Sequence, residues 1–319
     1  MKEAMKQATK DDRLSDCDYL AELKGVSKRF GSVVALDGID LQVRPGELLA
    51  VVGPNGAGKS TAISLLLGLQ QPDAGSARLL GRSPLLLAAR RSIGVMMQEV
   101  ALSPELRVRE QIELVASYYP DPLSPDAAME MTRTTALGGR PYGKLSGGQK
   151  RQVQFAMAVV GRPRLLFLDE PTVGLDLPSR EMMWAMVREL VSAGASIVLT
   201  THYLEEAESL ADRVVVLAKG RVIASGTVRE IRGIVGHKRI ACSTSLSAEL
   251  IASWPGVQTV SCERGRMQIT ASNAETVVKR LVVADADFQD LEVRSAGLAE
   301  AFTELTQESV HESTQEVAS

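Results

Sequence analysis

The sequence predicts an α/β fold in which a largely parallel sheet is covered by helices on both faces. Short, fully apolar segments alternate with helical patterns, and they lie at residues 48–52, 165–168, 196–200 and 214–217. Strands that lack polar alternation are typical of sheets buried on both sides. The first of these segments ends in a glycine-rich turn, and residues 60–69 after it show the pattern of a helix.

Composition limits the kinds of protein that the chain can be. It has 319 residues, which favours two domains, with 45% hydrophobic and 24% charged residues. A net charge of −3 gives no general attraction to nucleic acid or anionic lipid. Three cysteines without metal-like spacing favour a reducing cytosol over a disulfide framework. No uncharged apolar run reaches the roughly 18–20 residues that span a bilayer, so any membrane role is expected to come from another polypeptide.

The residue patterns divide the chain into four parts. Residues 1–17 are expected to be a flexible tail, 18–233 the α/β domain, 234–306 a small α+β domain, and 307–319 a disordered acidic tail. Within the second part, about 84–160 is predicted to form a helical subdomain. In the small domain, strands are predicted at 238–243, 257–262, 266–271 and 288–293, and helices at 247–253 and 274–283. The resulting order β-α-β-β-α-β is that of a ferredoxin-like unit.

The turn after the first apolar strand carries the strongest chemical motif. Its residues fit the pattern G-x-x-x-x-G-K-[ST] between a predicted strand and a predicted helix, the context that identifies a P-loop. They are Gly53, Pro54, Asn55, Gly56, Ala57, Gly58, Lys59, Ser60 and Thr61. Glycines let backbone N–H groups face phosphate oxygens, and the helix adds its positive end. Lys59 suits the β- and γ-phosphates and the Ser60 hydroxyl suits Mg²⁺, whereas a chance glycine-rich turn is disfavoured by the flanking elements.

Two carboxylates follow the buried strand at 165–168. Asp169 ends this strand and is expected to partner magnesium. Glu170 is one residue further on, so it projects differently and can hold the attacking water. A solvated acidic turn after a strand is common, and the pair becomes informative because the chain also has a P-loop.

A second anion-binding pattern precedes this strand. Ser146, Gly147, Gly148 and Gln149 follow Leu145 and open a helix predicted at 150–159. Serine and two glycines at a helix start suit an anion, although an ordinary helix cap is an equal alternative. Taken with the P-loop and the Asp-Glu strand, the chain resembles the nucleotide-binding proteins of ABC transporters. Residues 145–149 match the signature motif of that family without change.

The resemblance covers about residues 19–230 and implies a P-loop NTPase of the ABC ATPase type that binds ATP and Mg²⁺. Phe30 matches the aromatic residue that stacks on adenine, and Asp176 lies in the loop that touches the opposite subunit. Gln98 matches a residue that senses magnesium and water, and His202 a residue that contacts the γ-phosphate. The implied catalytic residues are Glu170, His202, Gln98 and Lys59, and the implied metal ligands are Ser60, Gln98 and Asp169. Residues 119–144 are less regular than the family pattern, with glycines and a proline where helix is usual.

The resemblance also implies partners. A homodimer, or a pair with a related ATPase subunit, would place Ser146 and Gly148 on the ATP of the opposite P-loop. An integral membrane permease would hold the cytoplasmic chain at the inner face of the cell membrane. The small C-terminal domain and residues 298–305 favour an exporter of a drug, antibiotic or lipid-like substrate over an importer.

Two further function classes are weighed against transport. The first is a soluble ABC ATPase in nucleic-acid, ribosome or cofactor-assembly work. It is disfavoured by the acidic balance, the absence of sustained heptads and the single ATP unit, so no nucleic-acid partner is expected. The second is a binding module with inactive ATP sites, which the intact residues Lys59, Asp169, Glu170 and His202 argue against.

Overall fold

The computed structural model describes residues 18–234, 237–263, 265–295, 297–303 and 305. The tails predicted at 1–17 and 307–319 lie outside the described residues. The chain divides into two compact units, and the boundary between them in the sequence lies between Thr227 and Val228. This boundary is earlier than the one predicted after residue 233, because the helix Val228–Ile234 belongs to the second unit.

The first unit contains two sheets. Its strands are β1 (Ala21–Phe30), β2 (Val33–Val43), β3 (Leu48–Val52), β4 (Ala74–Leu79), β5 (Ile93–Met96), β6 (Leu165–Asp169), β7 (Ser196–Thr201), β8 (Arg213–Ala218) and β9 (Arg221–Thr227). The larger sheet has the order β5-β6-β7-β3-β8-β9, in which only β9 runs antiparallel to its neighbour. The four strands predicted from apolar segments are all in this sheet, which confirms the predicted fold class.

The smaller sheet, β2-β1-β4, is antiparallel and was not predicted. Its strands carry charged and polar residues at exposed positions, and irregular register between β1 and β2 interrupts the alternation. A regular two-residue period is the sequence signal of a half-buried strand. The bulges in this hairpin therefore hide the pattern by which the strands would be recognised.

The helices of the first unit are α1 (Lys59–Leu66), α2 (Leu87–Arg90), α3 (Val108–Ala116), α4 (Pro125–Met131), α5 (Gly147–Val159), α6 (Leu177–Ser192) and α7 (Leu204–Leu210). The helix predicted at 60–69 ends earlier, since Gly68 has φ of 69°, a left-handed conformation that terminates helices. The helix predicted at 150–159 begins earlier, at Gly147, because Ser146 caps it.

Successive residues of the central strands face two different cores, which explains why these strands are apolar throughout. Leu49 and Val51 pack in a cluster with residues of α1, including Ile63. Leu48 instead packs in a second cluster with residues of α5 and α6, including Met183. Both faces of the sheet are thus covered, and the ends of its strands are left for the site.

The helical subdomain is smaller than predicted. Residues 84–160 were expected to be helical, but Ile93–Met96 forms strand β5 and pairs in parallel with β6. Four apolar residues fit either a helix or a strand, so periodicity alone could not distinguish them. After this strand come α3, α4, two 3₁₀ turns (Thr135–Leu137 and Tyr142–Lys144) and α5. The irregularity predicted within 119–144 is confirmed by these short elements.

The second unit contains α8 (Val228–Ile234), β10 (Lys238–Ser243), α9 (Ala248–Ala252), β11 (Val257–Glu263), β12 (Arg266–Ala271), α10 (Ala274–Ala284) and β13 (Gln289–Ser295). Its antiparallel sheet has the order β11-β12-β10-β13. Ile240, Ile269, Trp254 and Leu281 lie in its core. Within the described residues, no helix is both long enough and apolar enough to cross a membrane.

Candidate active site

The loop between β3 and α1 needs glycine at two positions because it passes close to neighbouring backbone. A Cβ atom on Gly53 would lie 2.4 Å from the carbonyl oxygen of Leu217. Gly58 has φ of 106°, and a Cβ there would lie 2.6 Å from the carbonyl oxygen of Ala35. Larger residues would therefore displace the loop. Gly58 precedes helix α1 at the N-cap position and provides no side-chain cap, so an anion can accept from the N–H groups of the first turn.

Lys59 is folded back over this loop. Its ammonium donates to the carbonyl oxygens of Gly53 at 2.8 Å and Pro54 at 3.2 Å. It also lies 3.5 Å from Oε1 of Glu170, and both side chains are 6% exposed. A buried ammonium needs such acceptors, and all of them lie at the edge where the P-loop would hold phosphate.

The two carboxylates at the end of β6 point in different directions. The Asp169 side chain accepts a hydrogen bond from the hydroxyl of Thr200, on the adjacent strand β7. Glu170 has φ of 50°, which is uncommon for a residue other than glycine. Its N–H donates to the carbonyl oxygen of Thr200 at 3.1 Å. Thr200 therefore fixes the backbone turn that separates the two acidic side chains.

His202 follows β7 and completes a three-residue contact. Its Nδ1 lies 2.7 Å from Oε2 of Glu170, while Oε1 of the same carboxylate faces Lys59. The histidine side chain is 34% exposed. Because β3, β6 and β7 are parallel neighbours, their carboxyl ends meet at one edge of the sheet, where open α/β sheets bind their ligands. The structure thus brings together three residues that are distant in sequence.

A cavity of about 570 Å³ opens at this edge, a size typical of small-molecule sites. Its lining includes the predicted residues Asn55, Gly56, Gly58, Lys59, Ser60, Thr61, Gln98, Glu170 and His202, together with Val33, Ala35 and Val173. Phe30 pairs with Val33 across the β1-β2 hairpin, and 46% of Phe30 is exposed. An exposed aromatic ring beside a lining residue suits stacking of a flat base.

The signature residues do not line this cavity. Ser146 caps α5, where its Oγ accepts from the Gln149 N–H at 3.3 Å and the Gln149 Oε1 accepts from the Ser146 N–H at 3.1 Å. This reciprocal pair is a capping box. A Cβ on Gly148 would lie 3.2 Å from Oγ of Ser179, in the first turn of the helix that Asp176 caps. The predicted residues 146–149 and Asp176 therefore lie outside the nucleotide cavity of their own chain.

Two charged or polar residues near the carboxylates were missed by sequence analysis. Thr200 could have been inferred from its place at the end of a buried strand beside Asp169. Arg151 gives no such signal: it lies on α5 and donates to the carbonyl oxygen of Met97 at 3.0 Å. Burial lowers the pKa of Arg151, and the negative charges of Asp169 and Glu170 oppose that shift. Arg151 therefore adds a positive charge near Asp169 and Glu170.

Glu206 is a buried carboxyl beneath the His202 segment, and it is 0% exposed. Its Oε1 accepts from Nε1 of Trp184 at 2.9 Å. Burial raises its pKa above the ordinary 4.5. A carboxyl whose pKa is raised by folding contributes most to stability below its unfolded pKa, and this contribution is lost as the pH rises.

Replacing Glu206 with glutamine is expected to stabilise the protein at pH 8 by roughly 1–3 kcal/mol, the scale of an uncompensated buried polar group. The amide oxygen can still accept from Trp184, and it carries no charge. The gain should be smaller at pH 5 than at pH 8, because protonation removes the charge of the native carboxyl as the pH falls through its raised pKa. Urea denaturation at both pH values measures it, with the exposed neighbour Glu205→Gln as the control. Equal stabilities of the variant and the parent at pH 8 would contradict the prediction.

Comparison with known proteins places this site in a family. The family model described as ABC transporter matches residues 36–173. The daunorubicin resistance ATP-binding protein DrrA3 of Streptomyces coeruleorubidus is 36% identical over 305 residues, which cover 91% of this chain and 96% of that protein. The Nod factor export ATP-binding protein I of Burkholderia thailandensis is 41% identical over 217 residues, which cover 66% of this chain and 71% of the relative.

Solved structures share the fold of the first unit. An ATP-binding subunit of an ABC transporter superposes with a TM-score of 0.62 and 31% identity, covering 68% of this chain and 93% of the solved one. The dimeric structure of MJ0796, a bacterial ABC transporter cassette, gives a TM-score of 0.60 and 26% identity, covering 65% of this chain and 98% of the cassette.

Proposed function

Because this chain belongs to the family of ABC transporter ATP-binding proteins, we propose that it is the ATP-hydrolysing subunit of an exporter with a separately encoded membrane permease. The observation that carries the proposal is the cavity in which the P-loop, Gln98, Glu170 and His202 meet. Export is favoured over import because relatives are named for drug resistance and for Nod factor export. The first alignment covers 91% of the chain and so extends into the second unit.

The substrate proposed for the exporter is an amphiphilic organic molecule of the drug, antibiotic or lipid-like class. The name of the first relative, a daunorubicin resistance protein, supports this class. The cavity in this chain is lined by the P-loop and by charged side chains, so it suits the nucleotide. Recognition of the transported molecule then falls to the permease.

Nucleotide binding uses three parts of the site. The exposed ring of Phe30 stacks on adenine, and the P-loop N–H groups with Lys59 hold the phosphates. The oxygen donors of Ser60, Gln98 and Asp169 fit Mg²⁺, which prefers hydroxyl, carbonyl and carboxylate ligands. When bound, the metal neutralises charge on the β- and γ-phosphates.

Hydrolysis is assigned to Glu170 and His202. Water attacks the γ-phosphorus in line with the bond to the bridging oxygen, that bond breaks, and ADP leaves with inorganic phosphate. Glu170 accepts the proton of the attacking water. His202, whose Nδ1 lies on the Glu170 carboxylate, holds the γ-phosphate and water in line. Lys59 and the loop N–H groups stabilise the charge that develops on the phosphate oxygens.

A second chain completes each site. Ser146 and Gly148 lie outside the cavity of their own chain. Ser146 caps helix α5 and Gly148 lies in its first turn, a helix start that suits an anion. A two-fold dimer places this surface on the ATP held by the opposite P-loop, giving two equivalent sites. The dimeric solved cassette supports this arrangement, and a related ATPase subunit is the alternative partner. Loss of the γ-phosphate then releases the two chains.

The permease is proposed to dock on a second cavity of the first unit, of about 820 Å³. This cavity lies between the segment 98–104 and helix α5, and its lining includes Val100, Ala101, Tyr142 and Gln98. It also includes Gly147, so the docking region adjoins the surface proposed to meet the second chain. Gln98 also lines the nucleotide cavity, so a permease segment seated here would contact a residue that faces ATP. Docking of this kind holds the chain at the inner face of the cell membrane as a peripheral subunit.

Replacing the exposed Ala101 with glutamate tests this proposal. The larger, charged side chain should prevent a permease segment from seating, and we expect at least a tenfold loss of chain from the membrane fraction when it is co-expressed with its membrane partner. ATP hydrolysis by the isolated chain should stay unchanged. The matched control is Val283→Glu, at a position in the second unit that is 86% exposed. Equal membrane recovery of both variants would refute the docking site.

A further inference from the structure

Helix α6 contacts the segment after β7 through two side chains on one helix face. Arg180 and Trp184 are four residues apart and therefore neighbours on the helix surface. The guanidinium carbon of Arg180 lies 4.6 Å from the centroid of the Tyr203 ring, within the range of a cation–π interaction. Nε1 of Trp184 donates to Glu206 at 2.9 Å. None of these four residues lines the nucleotide cavity.

Tyr203 also contacts the proposed catalytic histidine. The ring centroids of His202 and Tyr203 are 4.1 Å apart, with the planes tilted by 39°. The N–H of Tyr203 donates to Oγ1 of Thr201 at 2.9 Å, which fixes the backbone between β7 and α7. The tyrosine ring therefore lies between a cation on α6 and the imidazole that contacts Glu170.

The same helix begins at the surface proposed to meet the second chain. Asp176 caps α6, accepting from the N–H of Ser179 at 3.0 Å. Arg180 is one turn further along the helix, and its N–H donates to the carbonyl oxygen of Asp176 at 3.0 Å. A displacement of the capped end would thus move the guanidinium that packs on Tyr203.

We propose that Tyr203, held by Arg180, is a positioning residue that sets the orientation of His202 toward Glu170. The proposal rests on the proposed function, in which His202 holds phosphate and water. His202 is one-third exposed, and its hydrogen bond to Glu170 fixes one ring atom. Packing of the imidazole on Tyr203 restricts the remaining rotation of the ring. Through α6, the same contact joins the dimer surface at Asp176 to the histidine.

Replacing Tyr203 with leucine is expected to lower kcat for ATP about tenfold. An effect of this size is expected when a catalytic group is misplaced, and it is smaller than the effect of removing the group. KM should stay within about twofold, because substrate binding uses other residues. Tyr203→Phe should keep parental kcat, since the ring and not the hydroxyl makes both contacts. Arg180→Gln should lower kcat less than Tyr203→Leu, because it removes the cation from the tyrosine ring and leaves the contact between Tyr203 and His202 in place.

The matched control is Arg188→Gln. Arg188 also joins α6 to α7, through a hydrogen bond to Oγ of Ser209 at 3.2 Å, and it does not contact His202 or Tyr203 in this way. It should leave kcat unchanged. An equal loss of kcat in Arg188→Gln and Tyr203→Leu would overturn the proposal, because it would show a general effect of helix packing. Parental kcat in Tyr203→Leu would overturn it as well.

A double-mutant cycle separates this proposal from the one on which it rests. In a His202→Ala background, Tyr203→Leu should cause no further loss, because the tyrosine acts through the histidine. A further tenfold loss would overturn the positioning role while leaving the role of His202 intact. Parental hydrolysis by His202→Ala would instead overturn the assignment of the histidine, and the positioning role with it.

Discussion

Replacing Glu170 with glutamine is expected to lower ATP turnover by about a hundredfold to ten-thousandfold, the usual contribution of a general base. Glutamine keeps the shape of the side chain and can still contact His202 and Lys59 through its amide. It cannot accept the proton of the attacking water. Phosphate release at saturating ATP measures the loss.

The same variant should still bind ATP and form an ATP-dependent dimer. The groups proposed to hold the nucleotide, Lys59 and the P-loop, are unchanged, and the γ-phosphate that joins the chains is no longer removed. Gel filtration with and without ATP should show the dimer only in its presence. Glu181→Gln, on the exposed surface of α6, is the control and should hydrolyse ATP normally. Hydrolysis by Glu170→Gln at the parental rate would show that another group is the base.

Four strands of the central sheet could be predicted because each is a short, uninterrupted and largely apolar segment. Leu48–Val52 and the strand that ends in Asp169 face a core on each side, so every residue is apolar and the segment is short. Strand β5 was not predicted, because Gly94 interrupts its apolar run and so short a segment also fits a helix. The antiparallel sheet β2-β1-β4 was also not predicted, because irregular register between β1 and β2 disrupts the alternation of polar and apolar residues.

The candidate site shows a similar division. Lys59, Glu170 and His202 could be identified from motifs because each follows a strand whose end lies at one edge of the sheet. The spacing of residues along the sequence does not predict the contacts that complete the site, such as that of Arg151 with the Met97 carbonyl or of Arg180 with the Tyr203 ring. These contacts depend on how helices pack over the sheet, and packing is set by side chains from distant segments.

Two inactive variants should restore activity to each other when they are mixed. Lys59→Ala removes the phosphate-binding ammonium. Ser146→Arg places a bulky side chain on the surface proposed to meet the partner's ATP. Each homodimer should lose more than about a hundredfold in turnover, since each lacks a group that contacts the γ-phosphate. A mixed dimer, however, has one site in which both residues are native, because Lys59 and Ser146 of one site come from different chains.

Random exchange of the two variants makes half of the dimers mixed, each with one intact site, so turnover should recover to about a quarter of the parental rate. Ser124→Arg is the matched control for loss of a helix cap. Ser124 caps α4 by accepting from the Ala127 N–H, and its replacement should leave turnover unchanged. If Lys59 and Ser146 served one site within a single chain, each mixed dimer would contain only damaged sites. Exchange of chains between the two variants can be shown with a different affinity tag on each. If exchange occurs and the mixture is as inactive as each variant alone, the proposal that each ATP site is built from two chains and acts independently is contradicted.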